Sequence, residues 1–146
     1  MSNTPITDAL KLVLADSYAL YLKTHNYHWN VVGLHFRALH LMFEEQYTDL
    51  AEAVDVIAER IRSLGEKAPG TFSEFSKLTS IEEGDKNASA ESMVKDLARS
   101  QGLIVKSLKA ALEVAQKADD EVTAGLLIDR MGVHENAEWM LKSSAA

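Results

Sequence analysis

The sequence predicts an all-α protein: a bundle of four long helices, with a short helix in the connection between the second and third. Three observations predict it. Apolar residues recur at helical spacing through four long stretches, only two prolines and seven glycines interrupt 146 residues, and those interruptions gather where helices should end. With 47% hydrophobic residues, a chain of this length suits a single domain over residues 1–146 with a substantial core.

Thr4-Pro5 is a start signal, a capping hydroxyl followed by proline at the first helical position. Leu10, Leu14, Tyr18 and Tyr21 then carry the first helix to about residue 32, where Gly33 breaks the pattern. The second helix spans about 35 to 64 and stops at Gly65, with a core stripe of Leu39, Phe43, Tyr47, Leu50, Val54, Ile57 and Ile61. Residues 66–87 are punctuated by Pro69-Gly70 and Gly84. Thr71/Glu74 and Thr79/Glu82 each match a capping box there, so a short helix fits inside the loop. The third long helix, about 88 to 117, carries Met93, Leu97, Ile104, Leu108 and Leu112. Asp119-Asp120-Glu121 place negative charge where the dipole of a fourth helix, running to about 142, favours it. The glycines and the long loop argue against a plain coiled-coil rod.

Cysteine is absent, so any metal must be held by nitrogen and oxygen, a composition suited to a reducing cytoplasm. No signal peptide is expected, because the apolar run at 12–15 is short and ends at Asp16. No stretch approaches the roughly 20 apolar residues of a membrane span. The net charge of −7 opposes tight contact with nucleic acid or an anionic membrane. A soluble, cytoplasmic protein is the expectation.

The second helix carries the most informative pattern, His40, Glu44, Asp55 and Glu59. These are two i,i+4 pairs, and the step from Glu44 to Asp55 turns the helix by only about 20° beyond whole turns, so all four project along one stripe. That step also rises roughly 16 Å, too far for both pairs to hold one ion within one helix. The four positions are symmetric about a point between Asp49 and Leu50. Two copies laid antiparallel about a dyad there bring His40 beside Glu59 of the mate, and Glu44 beside Asp55. The spacing predicts a metal site split across a two-fold interface. The core stripe lies about 120° from this face, and Thr48 and Ala51 on it are small enough to admit another helix closely. A solvated acidic face is the plain alternative.

The first helix adds nitrogen donors. His25 and His28 lie i,i+3 near the turn into the second helix, so His28 can approach His40. Two imidazoles and up to three carboxylates suit Fe(II), and also Zn(II), Mn(II) or Co(II). Burying these carboxylates without a cation would be costly. The Glu-x-x-His pairs of di-iron bundles are missing, because no glutamate stands three residues before any histidine.

At these residues the sequence resembles a known family. Residues 23–66, KTHNYHWNVVGLHFRALHLMFEEQYTDLAEAVDVIAERIRSLGE, resemble the signature of the Dps family, the bacterial miniferritins, and the ferritin-like four-helix plan resembles it over nearly the whole chain. The resemblance implies a twelve-subunit hollow shell built from two-fold dimers, with ferroxidase centres at the two-fold interfaces. The implied ligands are His28, His40 and Glu44 of one subunit with Asp55 and Glu59 of its mate. Many members carry aspartate where this chain has Glu44. The implied chemistry is oxidation of Fe(II) by hydrogen peroxide, more slowly by oxygen, and storage of ferric mineral. Trp29 resembles the family's near-site tryptophan, a donor of electrons to stray oxidants; a core or interface aromatic is the alternative. The family also suggests an acidic pore, here Asp119, Asp120, Glu121 and Asp129, although capping explains the first three equally well.

The remaining candidates have plainer readings. Tyr27 and Tyr47 are read as structural aromatics, with electron donation like that of Trp29 as the alternative. His25 is read as structural or as steadying a ligand through a hydrogen bond, with accessory ligation as the alternative. His35 is a capping or surface residue, His134 belongs to a solvated face beside Glu135, Asn136 and Glu138, and Trp139 and Met140 belong to the core. Several Dps proteins bind DNA through lysine-rich tails. Here only residues 1–4 precede Pro5, a single lysine, Lys142, lies near the C-terminus, and Lys95, Lys106 and Lys109 form no basic patch. Direct DNA binding is therefore not expected, save weakly through divalent bridging. A purely structural helical oligomer is the third reading.

Overall fold

A computed structural model describes residues 4–146, and residues 1–3 of the short N-terminal segment lie outside the described residues. The chain is all α: α1 Thr4–Asn30, α2 Phe36–Ser63, α3 Phe72–Leu78, α4 Ala90–Lys117 and α5 Glu121–Ala145. Side-chain pairs give the directions. Along α1, His28, Tyr21 and Thr7 meet His40, Tyr47 and Glu66 in that order, so α1 and α2 are antiparallel. Tyr27 meets Asp96 and Asp16 meets Ser107, so α4 also opposes α1. Arg60 meets Asp120 and Asp49 meets Arg130, so α5 opposes α2. The order is up, down, down, up, which requires a connection running the length of the bundle.

Each boundary has a local cause. Gly33 and Gly65 adopt φ of 124° and 101°, which a side chain would strain. Beyond α2, Glu66 N–H reaches back to the Ile61 carbonyl and Gly65 N–H to that of Arg62, a Schellman closure around the glycine. Thr71 and Glu74 form the expected capping box of α3. The second expected box is absent. Thr79 instead ends α3, because its hydroxyl donates to Asp16 at 2.7 Å while accepting from Ile81 N–H. Asp120 caps α5, accepting from Thr123 N–H, and Arg60 of α2 holds it at 3.0 Å.

The long crossover is pinned to α1 at three heights. Phe75 stacks on Tyr18 at 4.9 Å. Asp16, buried, accepts hydrogen bonds from Thr79, Ser80 and Ser107, so its charge costs little to hold inside. Tyr27 donates to Asp96 at 2.6 Å and accepts from Asp85 N–H. Burial first, and then the Asp96 contact, pushes its phenol up to about 12.

The core fills with Leu10, Leu14, Phe43, Leu50, Ile57, Leu97, Ile104, Leu108 and Leu127, each effectively sealed from solvent. Each contributes roughly 1.5–3 kcal/mol through burial. Tyr47 and Val54 of the expected stripe are only half-buried.

Three expectations for α5 are corrected. Its inward stripe is Thr123, Leu127, Arg130, His134, Ala137 and Leu141. His134 is therefore buried, not solvated, between the Gln101 amide at 2.6 Å and Arg130 at 3.0 Å. Arg130 in turn forks onto Asp49 through its two terminal nitrogens, while its buried Nε has no partner among the described residues. Trp139 and Met140 fall on the opposite face and are exposed, because Ala137 and Leu141 take the inward positions.

Burial, reinforced by Arg130, lowers the His134 pKa to about 3. Between that value and the ordinary 6.5, only the unfolded chain takes up the proton, so falling pH favours unfolding. In urea denaturation, the stability advantage of wild type over His134→Gln should shrink by on the order of 1 kcal/mol per pH unit from pH 6 to pH 4. An unchanged gap would refute a buried neutral imidazole.

Candidate metal centre

His28 occupies the last turn of α1 and His40 the second turn of α2. The α1–α2 turn brings them together. His28 Nδ1 lies 2.7 Å from the His40 carbonyl, and His40 Nδ1 lies 2.7 Å from the His28 carbonyl. Their rings stack at 3.7 Å and 15°. A carbonyl can only accept, so each Nδ1 must carry the proton. Each Nε2 is then left with its lone pair, the tautomer that binds metal. The Glu44 carboxylate stands 3.9 Å from His28 Nε2, too far for a direct hydrogen bond. An ion with bonds of about 2.1 Å to each atom fits that interval.

Asp55 and Glu59 lie further along the same face of α2, exposed with Glu44, Thr48 and Ala51. Among the described residues of one protomer, no three histidine, cysteine or carboxylate side chains converge on a metal-sized space. The structure pairs His28 with His40 and sets Glu44 beside His28, short of a three-ligand cluster, and it leaves Asp55 and Glu59 apart on the exposed face of α2. Leu41, Val56 and Trp29, large and exposed, flank this region.

His25 departs from one of its expected readings. It makes no hydrogen bond among the described residues. Its ring lies between Trp29 at 3.8 Å and Tyr47 at 4.1 Å, and 5.9 Å from the His28 ring. Burial first, then the neighbouring His28, lowers its pKa. Tyr47, read from sequence as structural, also meets His28 edge-on at 5.1 Å. Burial, ahead of Glu44, raises its phenol pKa. Trp29 is exposed and Tyr27 is buried away from the centre in its bonds to Asp96 and Asp85. His35 stands at the N-cap of α2, but its side chain makes no capping bond.

Of the acidic group suggested for a pore, Asp120 is engaged. Burial opposes its ionisation, but the Thr123 hydrogen bonds and the Arg60 charge outweigh it and lower its pKa. Asp119, Glu121 and Asp129 are exposed. Lys95, Arg99, Lys106 and Lys142 line one groove between α4 and the end of α5, a gathering the sequence did not suggest. Three of these four are already paired, Lys95 with Glu91, Arg99 with Asp96 and Lys142 with Glu138. No helix among the described residues is long and apolar enough to cross a membrane.

A family model for the ferritin-like domain matches residues 7–145. The DNA protection during starvation protein 2 of Bacillus anthracis is 38% identical over 141 residues, which cover 97% of each chain. The fold superposes on the crystal structure of Dps from Staphylococcus aureus with a TM-score of 0.95 at 34% identity, covering 99% of this chain and 97% of that one. It also matches the DPS protein from Vibrio cholerae O1, described as a member of a broad superfamily of ferritin-like diiron-carboxylate proteins. There the TM-score is 0.94 at 32% identity, covering 99% and 91%.

His40→Phe keeps a ring against His28 but removes both nitrogens. Stability should fall by about 1–2 kcal/mol, since the His28 carbonyl loses its donor. Zn(II) affinity, measured by competition with a chromophoric chelator, should fall more than about tenfold. Equal affinity in variant and wild type would remove His40 from the centre.

Proposed function

The chain belongs to the ferritin-like family, among the Dps proteins, and from that premise we propose that it is an iron-storing ferroxidase whose centres form between two-fold mates. The observation that carries this reading is the His28–His40 exchange, which leaves two imidazole lone pairs free beside Glu44 on the outside of the bundle. An antiparallel second copy of α2 adds the partner subunit's Asp55 and the partner subunit's Glu59. These three carboxylates are tolerable on an exposed face. Burying them in an interface requires cations, so dimer packing and iron binding support each other.

Ferrous ions are the substrate. Two adjacent Fe(II) ions deliver one electron each to one hydrogen peroxide; with two protons, the products are two Fe(III) and two waters. Taking both electrons at one place avoids release of hydroxyl radical. The protein's part is to hold the pair and leave coordination positions open. Oxygen is the slower oxidant in this reading, and Zn(II), Mn(II) or Co(II) would occupy the same donors. The ferric product is stored as mineral in a hollow dodecamer in the cytoplasm. Assembly is supported by α5, which is apolar on both sides: Val122, Ile128, Val133 and Trp139 all face outward. Asp119, Glu121 and Asp129 are the acidic groups left to line a cation pore.

With peroxide under anaerobic conditions, two Fe(II) should be oxidised per peroxide consumed, with little radical trapped by a spin trap. His28→Ala/His40→Ala should oxidise iron at least about tenfold more slowly. An equal rate would refute the assigned centre, and unsaturable iron uptake would favour the purely structural oligomer.

Direct DNA binding is expected to be weak, because phosphate contacts need unpaired cations and the groove cations are mostly engaged. Strong retardation of duplex DNA in a gel shift at low salt without magnesium would overturn this.

A further inference from the structure

We propose that His25 supplies a third imidazole to the shared centre and sets its affinity for a second ferrous ion, an inference that rests on the intersubunit ferroxidase reading above. Each of the other buried or half-buried histidines has at least one ring nitrogen engaged within the protomer. His28 and His40 each use Nδ1 on a carbonyl, and His134 uses both ring nitrogens on Gln101 and Arg130. His25 has used neither. It is held by ring faces alone, 3.8 Å from Trp29 and 4.1 Å from Tyr47, with the Tyr47 ring nearly parallel at 20°. Such a clamp orients the imidazole while leaving both nitrogens free to bind.

Its position also suits a second ion. His25 and His28 lie one turn apart on α1, with ring centres 5.9 Å apart, against 3.7 Å within the His28–His40 stack. Paired metal ions stand about 3.5–4 Å apart, so a ring displaced from His28 by this much can reach the neighbouring ion rather than the same one. Charge points the same way. One divalent ion among Glu44, the partner subunit's Asp55 and the partner subunit's Glu59 leaves one negative charge, and two ions leave one positive charge. A further neutral donor completes the second position without adding charge that must be desolvated.

The test is a Co(II) titration of the assembled protein, followed by visible absorption and equilibrium dialysis. Co(II) is a redox-quiet stand-in for Fe(II). His25→Phe preserves the stack and removes only the nitrogens. Wild type should bind two Co(II) per centre. The variant should keep the first site within twofold and weaken the second at least about tenfold. Two equally tight ions in the variant would overturn the role of His25 and leave the ferroxidase reading standing, whereas a single ion in wild type would overturn that role together with the paired-iron step. No Co(II) bound at the centre in wild type would instead defeat that reading. Should His25→Phe fail to assemble, a crystal structure of Co(II)-loaded wild type decides. Cobalt within bonding distance of a His25 nitrogen, about 2.1 Å, supports the assignment, and cobalt bound only elsewhere overturns it.

Discussion

The fold and the candidate centre meet in the hydrogen bonds exchanged by His28 and His40. His28 stands in the last turn of α1, where carbonyls have no intrahelical donor. The Nδ1–H of His40 satisfies one of them, and the His40 carbonyl receives the Nδ1–H of His28 in return. The same two bonds thus cap a helix, lock the α1–α2 hairpin and choose the imidazole tautomer. Metal-binding histidines usually depend on a neighbouring acceptor to fix the ring. Here each ring finds its acceptor in the backbone beside the other ring, so neither can turn without disturbing the helix pair.

The bundle interior is closed to metal chemistry for a different reason. Its charged side chains and His134 already hold one another. Asp49, Arg130, His134 and Gln101 form one line of bonds from α2 through α5 to α4, and Lys23 is buried against Asp96 and Ser100. Breaking any of these would leave a buried polar or charged group without its partner. Carboxylates that are free of such obligations lie on the outer face of α2. A fold of this class can hold metal inside its bundle, but this chain has committed its interior to structure and carries its ligand-type carboxylates on the exposed face of α2.

The crossover matters to the centre indirectly. Because α2 and α4 run in the same direction, the chain must return along the whole bundle, and Phe75, Asp16 and Tyr27 fasten that return to α1. The last fastening is one residue before His28. The turn bearing His28 is therefore gripped from behind by Tyr27 while its ligand face stays toward α2.

Periodicity and turn chemistry were enough to determine four long helices, their approximate ends at Gly33 and Gly65, and the capped α3, because these depend on local spacing. The symmetric placement of His40, Glu44, Asp55 and Glu59 likewise needed only helical geometry to rule out a site within one helix. Tertiary structure alone decided the rest. α5 is apolar on both sides, so no pattern told which side faces inward, and His134 and Trp139 were each read on the wrong one. Thr79 looked like a helix start until Asp16, distant in sequence, claimed its hydroxyl. The His28–His40 exchange was hidden because its acceptors are carbonyls, which every residue has; only the meeting of α1 and α2 selects two of them.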